Sequence, residues 1–233
     1  EPKMTRRQNY TWPVRSIVRR EGQMTNAQKK AIEELEGKYG IDGAQKISDG
    51  CPFAKGTNIH LEIGFGDGEA LISLAKSNLE SGFIGIDPHR PGAGRVLRKI
   101  DRDEISNARV IIGDAAELLP ALFQPQSLTR ILVLFPDPWP KKRHNKRRLI
   151  NQAFLSDLAD TLKPGGILHI ATDWQDYAES IIETLISVTD LKNTSETNDY
   201  CPRPSWRPET KYERRGLSLG HQVFDIGSIK NES

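Results

Sequence analysis

Short apolar runs alternate with helical patterns through most of the chain. Five runs rich in β-branched residues follow Thr57, and a segment with helical spacing of apolar positions follows each of them. Because strands that alternate with helices build a parallel sheet covered on both faces, the pattern predicts an α/β fold. The predicted strands are Asn58–Ile63, Phe83–Asp87, Val110–Ile112, Arg130–Phe135 and Gly166–Ala171.

Helices are predicted between and after these strands. The run Lys163–Gly166 is expected to separate a helix from a strand, because proline and glycine punctuate both. Near the C-terminus, His221–Ile226 can supply a last antiparallel strand. The predicted helices are Glu69–Asn78, Gly92–Asp103, Ala115–Leu122, Arg148–Leu162 and Trp174–Thr189.

The 233 residues divide into an arm and one domain. Residues 1–55 alternate basic and polar positions around one helical stretch, Thr25–Tyr39, which Thr25 can cap. We interpret them as a basic N-terminal arm. Residues 56–233 are predicted to form one domain that ends in a basic substrate-binding segment, residues 199–233, in line with ~100–200 residues per domain.

Composition excludes several classes of protein. With 36% hydrophobic and 27% charged residues the chain can build an ordinary core, so global disorder is not expected. The longest apolar run, Ile131–Phe135, is far shorter than the ~20 residues of a membrane-spanning helix, and no secretory signal is recognisable. Cys51 and Cys201 cannot form a disulfide framework or a cysteine-rich metal site. A cytoplasmic protein is expected.

Charge is distributed unevenly, although 33 Lys and Arg nearly balance 31 Asp and Glu. Three basic stretches, 1–30, 139–148 and 203–215, carry a net charge of +15 and leave −13 on the remainder. An acidic body with basic surfaces is typical of a protein that binds a phosphate-rich partner.

Three glycines, Gly64, Gly66 and Gly68, lie where the first predicted strand gives way to a helix. Glycine there permits a tight turn and a close approach of the backbone to a ligand. The Gly-x-Gly-x-Gly spacing differs from the dinucleotide fingerprint Gly-x-Gly-x-x-Gly. Asp87 closes the second strand, where an acid commonly binds ribose hydroxyls, and Asp114 ends the third, within reach of an adenine edge.

Each of these features also has a purely structural interpretation. A glycine-rich turn can be a tight connection, and an acid after a strand often caps a helix, a role that suits Asp114. Together with Glu62, however, the set resembles class I S-adenosylmethionine-dependent methyltransferases. That resemblance implies that Glu62 stabilises the pocket near the methionine part, Asp87 holds the ribose and Asp114 lies near the adenine. A nicotinamide-dependent dehydrogenase is an alternative that the glycine spacing disfavours.

The fourth predicted strand runs into a proline-rich segment, Pro136-Asp137-Pro138-Trp139-Pro140, and then into the basic run 141–148. The prolines restrict the backbone on both sides of one carboxylate and one indole. Ligands of open α/β sheets bind outside the carboxyl ends of the strands, so this segment is expected to face the glycine turn. A basic run beside it would meet phosphates. The combination indicates a base-modifying site with a nucleic-acid clamp.

Simpler interpretations of this segment stay open. A basic run is often a solvated face or a localisation signal, Trp139 can be a core residue, and the prolines can form a stiff linker. His144 is interpreted as a phosphate neighbour and not as a catalyst, because surrounding positive charge disfavours its protonation. The residues support no Ser/His/Asp, Cys/His or zinc arrangement, and no metal is expected.

Longer motifs resemble one family. Phe135–His144 is similar to the signature of the bacterial tRNA guanine-N7 methyltransferases, and Arg15–Thr25, Gly85–Gly94 and Arg207–Gly216 with Leu219–His221 resemble further motifs of that family. The resemblance implies a Rossmann-like class I methyltransferase fold with a mostly parallel seven-stranded sheet and helices on both faces. It also implies S-adenosylmethionine as cofactor, tRNA as partner, and methylation of N7 of the variable-loop guanosine numbered 46 in tRNA.

The resemblance carries residue assignments as well. It assigns cofactor contacts to Glu62, Asp87, Asp114 and Asp137, and substrate contacts to Lys141, Asp173, Thr210, Lys211, Tyr212 and Glu213. The local pattern adds Gly64 and Gly66 for the cofactor, and for RNA it adds Trp139, Lys142, Arg143, His144, Lys146, Arg147 and Arg148. Two positions depart from the family: Asp87 stands where many members carry Glu, and Asn145 stands where a second histidine often follows His144.

The chemistry of guanine N7 suggests the role of the catalytic residue. N7 carries an in-plane lone pair, so no strong base is required, and catalysis depends on alignment and on charge stabilisation. We predict that Asp137 accepts hydrogen bonds from the guanine edge and offsets the developing positive charge, with Asp173 or Glu213 assisting. A non-catalytic tRNA-binding protein and a methyltransferase acting on another atom remain alternatives, and both a monomer and a homodimer are compatible with the sequence.

Overall fold

A computed structural model describes residues 24–41, 46–47 and 52–232. One sheet contains seven strands: β1 Asn58–Ile63, β2 Ser81–Asp87, β3 Ala108–Ile112, β4 Leu128–Leu134, β5 Leu162–Thr172, β6 Leu191–Asn193 and β7 Phe224–Lys230. Their order is β3-β2-β1-β4-β5-β7-β6. Strands β1 to β5 pair in parallel, whereas β7 is antiparallel to β5 and β6. The predicted mostly parallel seven-stranded α/β fold is confirmed.

Helices cover both faces of this sheet. They are α1 Asn26–Tyr39, α2 Glu69–Ser77, α3 Arg90–Arg102, α4 Ala115–Leu122, α5 Gln152–Thr161, α6 Gln175–Ile186 and α7 Lys211–Ser218. One core joins α1, α2 and α3 to Phe83 and Val110, and a larger core joins α4, α5 and α6 to Ile59 and Ile131. The apolar positions of the predicted helices therefore face the sheet, as their spacing indicates.

The register of the central strands creates a crevice. Ile63 at the end of β1 pairs with Ile86 of β2 on one side and with Val133 of β4 on the other. The connection from β1 leads to one side of the sheet and the later strands return on the other side, so β1 and β4 flank a topological switch point. The carboxyl ends of β1, β2 and β4 thus lie side by side.

Helix α1 belongs to the predicted N-terminal arm and packs on the domain. Thr25 caps it through a capping box with Gln28, as predicted from the sequence. Ile32 and Tyr39 are buried in the core shared with α3, and the Tyr39 hydroxyl donates to Asp101 at 3.0 Å. The motif residues 15–23 and Cys51 lie outside the described residues, and the boundary at residue 55 stays a prediction.

Two predicted boundaries around α5 are wrong. The helix begins at Gln152 and not at Arg148, because the Asn151 side chain caps it by accepting from the Phe154 N–H at 3.1 Å. Strand β5 begins directly after the helix, so the run Lys163–Gly166 lies inside the strand. Its glycines mark an irregularity, since the pairing of β4 with β5 shifts register there and Gly165 has a φ of +73°.

The chain after α6 contains one predicted strand and two elements that the pattern did not predict. The last antiparallel strand exists but spans Phe224–Lys230, three residues beyond the predicted start. Strand β6 has three residues, too few to show alternation. Helix α7 buries only Glu213, so it has no apolar stripe to reveal it.

Candidate functional site

The glycine turn after β1 has the left-handed conformation that glycine favours. Gly64, Gly66 and Gly68 have φ angles of +78°, +53° and +70°. A Cβ on Gly68 would lie 2.4 Å from the Val96 side chain, and one on Gly92 would lie 2.4 Å from the Gly66 carbonyl oxygen. The turn and the start of α3 therefore approach each other more closely than side chains permit.

Asp87 at the end of β2 holds this turn in place. Its Oδ2 accepts from the Gly66 N–H and its Oδ1 from the His89 N–H, each at 2.8 Å. Burial raises the pKa of the Asp87 carboxyl, these two hydrogen bonds oppose that rise, and the charge of Asp137 adds to it. Each oxygen keeps a further lone pair, with which it can accept a hydrogen bond from a ligand hydroxyl.

Glu62 lies in the core beneath the turn and does not line the cleft. It is 5% exposed, and its Oε2 has no hydrogen-bond partner among the described residues. Burial and the charge of Asp87 raise the pKa of Glu62 to about 8, although a hydrogen bond from the Leu71 backbone opposes them. Glu62 is therefore mainly protonated at neutral pH and can donate as well as accept a hydrogen bond.

A cleft of about 260 Å³ opens at the carboxyl ends of β1, β2 and β4. Asp114 lines it and also caps α4 by accepting from the Ala116 N–H at 3.0 Å, so its structural interpretation and its place at the site both hold. Apolar side chains such as Ile86 and Leu149 form much of the wall. Of the predicted site residues, Gly64, Asp87, Asp114, Asp137 and Trp139 line this cleft.

The proline-rich segment crosses the mouth of the cleft in an unfavourable backbone conformation. Phe135 and Trp139 have φ angles of +51° and +44°, a region that large aromatic residues rarely adopt. Such outliers cluster at functional sites, where the surrounding structure enforces them. Asp137 lies between them and is exposed. The Trp139 ring has the Arg147 guanidinium 5.1 Å from its centroid and the His144 ring edge-on at 5.9 Å.

Helix α7 brings the C-terminal segment to the same mouth. Thr210 caps the helix by accepting from the Glu213 N–H at 3.2 Å. The Tyr212 hydroxyl donates to Asp173 at 3.1 Å, and its ring lies 4.9 Å from the Phe135 ring. Partial burial and the charge of Asp173 raise the pKa of Tyr212. The structure thus joins Asp173 after β5 to the predicted substrate segment.

Comparison with known proteins agrees with this geometry. A family model described as "Putative methyltransferase" matches residues 56–226. The tRNA (guanine-N(7)-)-methyltransferase of Nitrosospira multiformis is 45% identical over 92% of this chain and 93% of that protein. The tRNA (guanine-N(7)-)-methyltransferase of Psychromonas ingrahamii is 46% identical over 93% of this chain and 89% of that protein. The chain belongs to the tRNA (guanine-N(7)-)-methyltransferase family.

Solved structures share the fold of this methyltransferase at low sequence identity. The antibiotic-resistance methyltransferase Kmr has a TM-score of 0.54 and 13% identity, covering 76% of this chain and 88% of that one. An rRNA methylase from Streptococcus thermophilus has a TM-score of 0.52 and 14% identity, covering 82% and 92%. Within the described residues of this family member, no group of His, Cys, Asp and Glu could hold a metal ion, and no helix could span a membrane.

The basic segment of the methyltransferase forms a 3₁₀ helix, Lys142–Arg147. Desolvation and the charges of its cationic neighbours lower the pKa of His144, as the sequence predicts. The prediction that Arg148 contacts the RNA backbone is wrong, because Arg148 is buried, donates to the Pro138 carbonyl at 3.0 Å and pairs with Asp176. It anchors the segment to α6. The predicted RNA contacts Lys141, Lys142 and Arg143 are all exposed.

One assigned substrate residue, Glu213, faces the core of this methyltransferase. Both of its carboxylate oxygens accept from Arg207 at 2.7 Å, and Arg207 is fully buried. Arg207 also pairs with Asp225, which contacts His169 at 2.7 Å. This geometry gives Glu213 a role in positioning α7, and a direct contact with substrate stays a prediction.

Sequence reasoning missed Arg207, Asp225 and His169 as one buried group. Arg207 sits in a polar, proline-rich stretch whose pattern predicts exposure, so no periodicity marks it as a core residue. For the other two residues the sequence does contain a signal of burial. His169 lies among the apolar residues of β5, and Asp225 lies between apolar residues of β7. Glu69, the residue after the glycine turn, was also missed.

Proposed function

We propose that this protein transfers the methyl group of S-adenosylmethionine to N7 of a guanosine in the variable loop of tRNA. The observation that carries the proposal is one cleft shared by the glycine turn, Asp87 and Asp137. Exposed cations of the 141–147 segment lie at the same end of the sheet. The 45% identity to a named tRNA (guanine-N(7)-)-methyltransferase supports the choice of substrate.

The residues at the cleft suit S-adenosylmethionine. A Cβ on Gly64 would have no heavy atom within 4 Å, so the turn leaves open space beside its backbone. The free lone pairs of Asp87 suit ribose hydroxyls, and Glu62, buried beneath the turn and outside the cleft lining, supports the turn near the methionine part. When bound, the cofactor supplies an electrophilic methyl group on a positively charged sulfur.

Asp137 is the residue placed to serve the acceptor base. Pro136 and Pro138 restrict the backbone on either side of it, and Phe135 before it is held in the left-handed region. A carboxylate fixed in this way can accept hydrogen bonds from the guanine edge and align the base without reorganising. Because N7 needs no deprotonation, Asp137 acts through orientation and through its negative charge.

The rim of the cleft suits RNA. Lys141, Lys142 and Arg143 present cations, and Tyr212 is 57% exposed while its hydroxyl is fixed on Asp173. Cations contact phosphates, and an exposed aromatic ring can stack on an unpaired base. Trp139 lies beside them but has Arg147 near its ring, so a base that stacks there would meet or displace this guanidinium.

The test is transfer of labelled methyl from S-adenosylmethionine to unmodified tRNA, followed by borohydride and aniline cleavage. We expect cleavage at one variable-loop guanosine and no incorporation into a tRNA with adenosine at that position. Incorporation without cleavage would move the target to another atom. Tight tRNA binding without incorporation would support the non-catalytic alternative and overturn the proposal.

A further inference from the structure

The side chain of Glu69 joins two helices at their N-termini. Glu69 is the first residue of α2, directly after the glycine turn. Its Oε2 accepts from the backbone N–H of Lys211 at 2.5 Å, and its Oε1 accepts from the Arg214 guanidinium at 2.7 Å. Both partners belong to α7, more than 140 residues further along the chain.

The Glu69 carboxylate is charged and suits the place it occupies. Desolvation opposes ionisation, but the hydrogen bonds from Lys211 and Arg214 outweigh it and keep the pKa of Glu69 below its usual value. A negative charge at the first turn of a helix is favourable because backbone N–H groups point toward it. Two acceptors therefore cap the N-terminus of α7. They are the Thr210 hydroxyl, directly before the helix, and the Glu69 carboxylate, directly after the glycine turn.

The two ends of this contact lead to different parts of the cleft. On one side, the turn that precedes Glu69 holds Asp87 through the Gly66 N–H. On the other side, Lys211 is followed by Tyr212, which contacts Asp173 and the Phe135 ring. Glu69 thus lies between the residues proposed for the cofactor and those proposed for tRNA, and it lines neither part.

We infer that Glu69 is a positioning residue that holds α7 on the glycine turn and so couples cofactor binding to tRNA binding. The inference rests on the proposed function. A cofactor that orders the glycine turn also fixes the Glu69 carboxylate, which accepts hydrogen bonds from α7. In return, tRNA that orders α7 also fixes Glu69 and the turn before it. Coupling between two sites is reciprocal, so it can be measured on either ligand.

The experiment measures the affinity of S-adenosylhomocysteine, which cannot transfer a methyl group, by calorimetry with and without saturating unmodified tRNA. The quantity compared is the ratio of the affinity measured with tRNA to the affinity measured without it. For the parent protein we expect a ratio of about 10. In Glu69→Ala the ratio should fall to about 1–2, while the affinity without tRNA changes less than about 2-fold. Arg214→Ala should lower the ratio too, and the double variant should lower it no further than Glu69→Ala does.

A matched control separates position from charge. Glu80→Ala removes the same charge from the exposed turn between α2 and β2, and its ratio should equal that of the parent. A merely structural role for Glu69 would lower thermal stability and leave the ratio unchanged. Glu69→Gln keeps an oxygen acceptor for the Lys211 N–H, so its ratio should lie between those of the parent and Glu69→Ala.

Several outcomes would overturn the inference. They are a parental ratio in Glu69→Ala, a ratio of 1 in the parent, and an equal loss in Glu80→Ala. If Glu69→Ala does not fold, Arg214→Ala decides, because its side chain is half exposed. Methyl transfer by the parent is measured alongside: its absence refutes the proposed function, whereas methyl transfer with coupling intact in Glu69→Ala refutes only this inference.

Discussion

Single carboxylates in and beneath the cleft differ because their surroundings differ. Glu62 is buried and its pKa is raised to about 8, so it is mainly neutral at pH 7. Asp87 is buried too, but two backbone N–H groups stabilise its charged form. Asp137 is exposed and held by prolines. Environment therefore suits these acids for different tasks, and each task can be tested at one residue.

Asp137→Asn tests electrostatic assistance to the transfer. Asparagine has nearly the same shape but lacks the charge that offsets positive charge on the purine. We expect the rate constant for methyl transfer to fall about 10²-fold, the loss typical of removing one preorganised stabilising group, while cofactor and tRNA still bind. Single-turnover methyl transfer measures it. Asp160→Asn on the exposed face of α5 is the control, and a parental rate in Asp137→Asn would remove the catalytic assignment.

Glu62→Gln tests the burial of a titratable group. Between the usual pKa of 4.5 and the folded value of about 8, the folded state keeps a proton that the unfolded state has lost. The free energy of unfolding should therefore fall as pH rises through this window, by up to about 1.4 kcal/mol per pH unit from this group. Urea unfolding from pH 5 to 8 should show a smaller decline in Glu62→Gln, and the parental decline in Glu80→Gln. Equal slopes of the free energy of unfolding against pH in the parent and in Glu62→Gln would contradict the raised pKa of Glu62.

At the scale of elements, α7 is held mainly by ion pairs, since it has no buried apolar stripe. Its one buried residue is Glu213, which Arg207 binds with both oxygens filled. Arg207 in turn binds Asp225 of β7, so the helix is tied to the sheet through charge. Buried ions without their partner are strongly destabilising. The position of Tyr212 over the cleft depends on this group.

Arg207→Met leaves Glu213 and Asp225 buried without their cation. We expect the free energy of unfolding to fall by about 3–5 kcal/mol. Arg203→Met is the matched control, since Arg203 is exposed and pairs with Glu209 at 3.7 Å, and it should cost at most about 1 kcal/mol. Urea unfolding measures both. A loss below about 1 kcal/mol for Arg207→Met would show that the buried group does not anchor the segment.

At the scale of the whole molecule, charge and cleft lie at the same end of the sheet. The exposed cations of the 141–147 segment follow β4 at its carboxyl end, where the cleft opens. The amino ends of the parallel strands form the opposite edge, and lysines such as Lys55 before β1 and Lys163 at the start of β5 lie there, away from the proposed RNA surface. This placement predicts that tRNA approaches the carboxyl ends of the strands.

Salt titration of tRNA binding tests this orientation. Replacing Lys141, Lys142 and Arg143 together by alanine should make the negative slope of log K against log salt shallower by about 2, at about 0.7 per single-strand phosphate contact. The control replaces Lys55, Lys163 and Lys192, three lysines away from the cleft, and should keep the parental slope. Equal losses in both variants would mean that charge acts without regard to position.

Much of this protein was predictable from its sequence because the signals are local. Alternating apolar runs predict the parallel sheet, Thr25 predicts the start of α1, and acids at strand ends predict the cleft that Asp87, Asp114 and Asp137 line. Parallel strands bring their carboxyl ends together, so spacing along the chain is enough to place these residues. Family motifs add the chemistry.

Tertiary structure alone decided what depends on contacts between distant segments. It turned Glu213 and Arg148 inward, because Arg207 and Asp176 meet them there. It also joined Glu69 to α7 across more than 140 residues. Charged residues read as exposed in any one-dimensional pattern, since burial of a charge depends on a partner that the pattern does not contain. Most strands of the sheet could therefore be predicted from the sequence, whereas the placement of the C-terminal segment depends on contacts that form only in the folded protein.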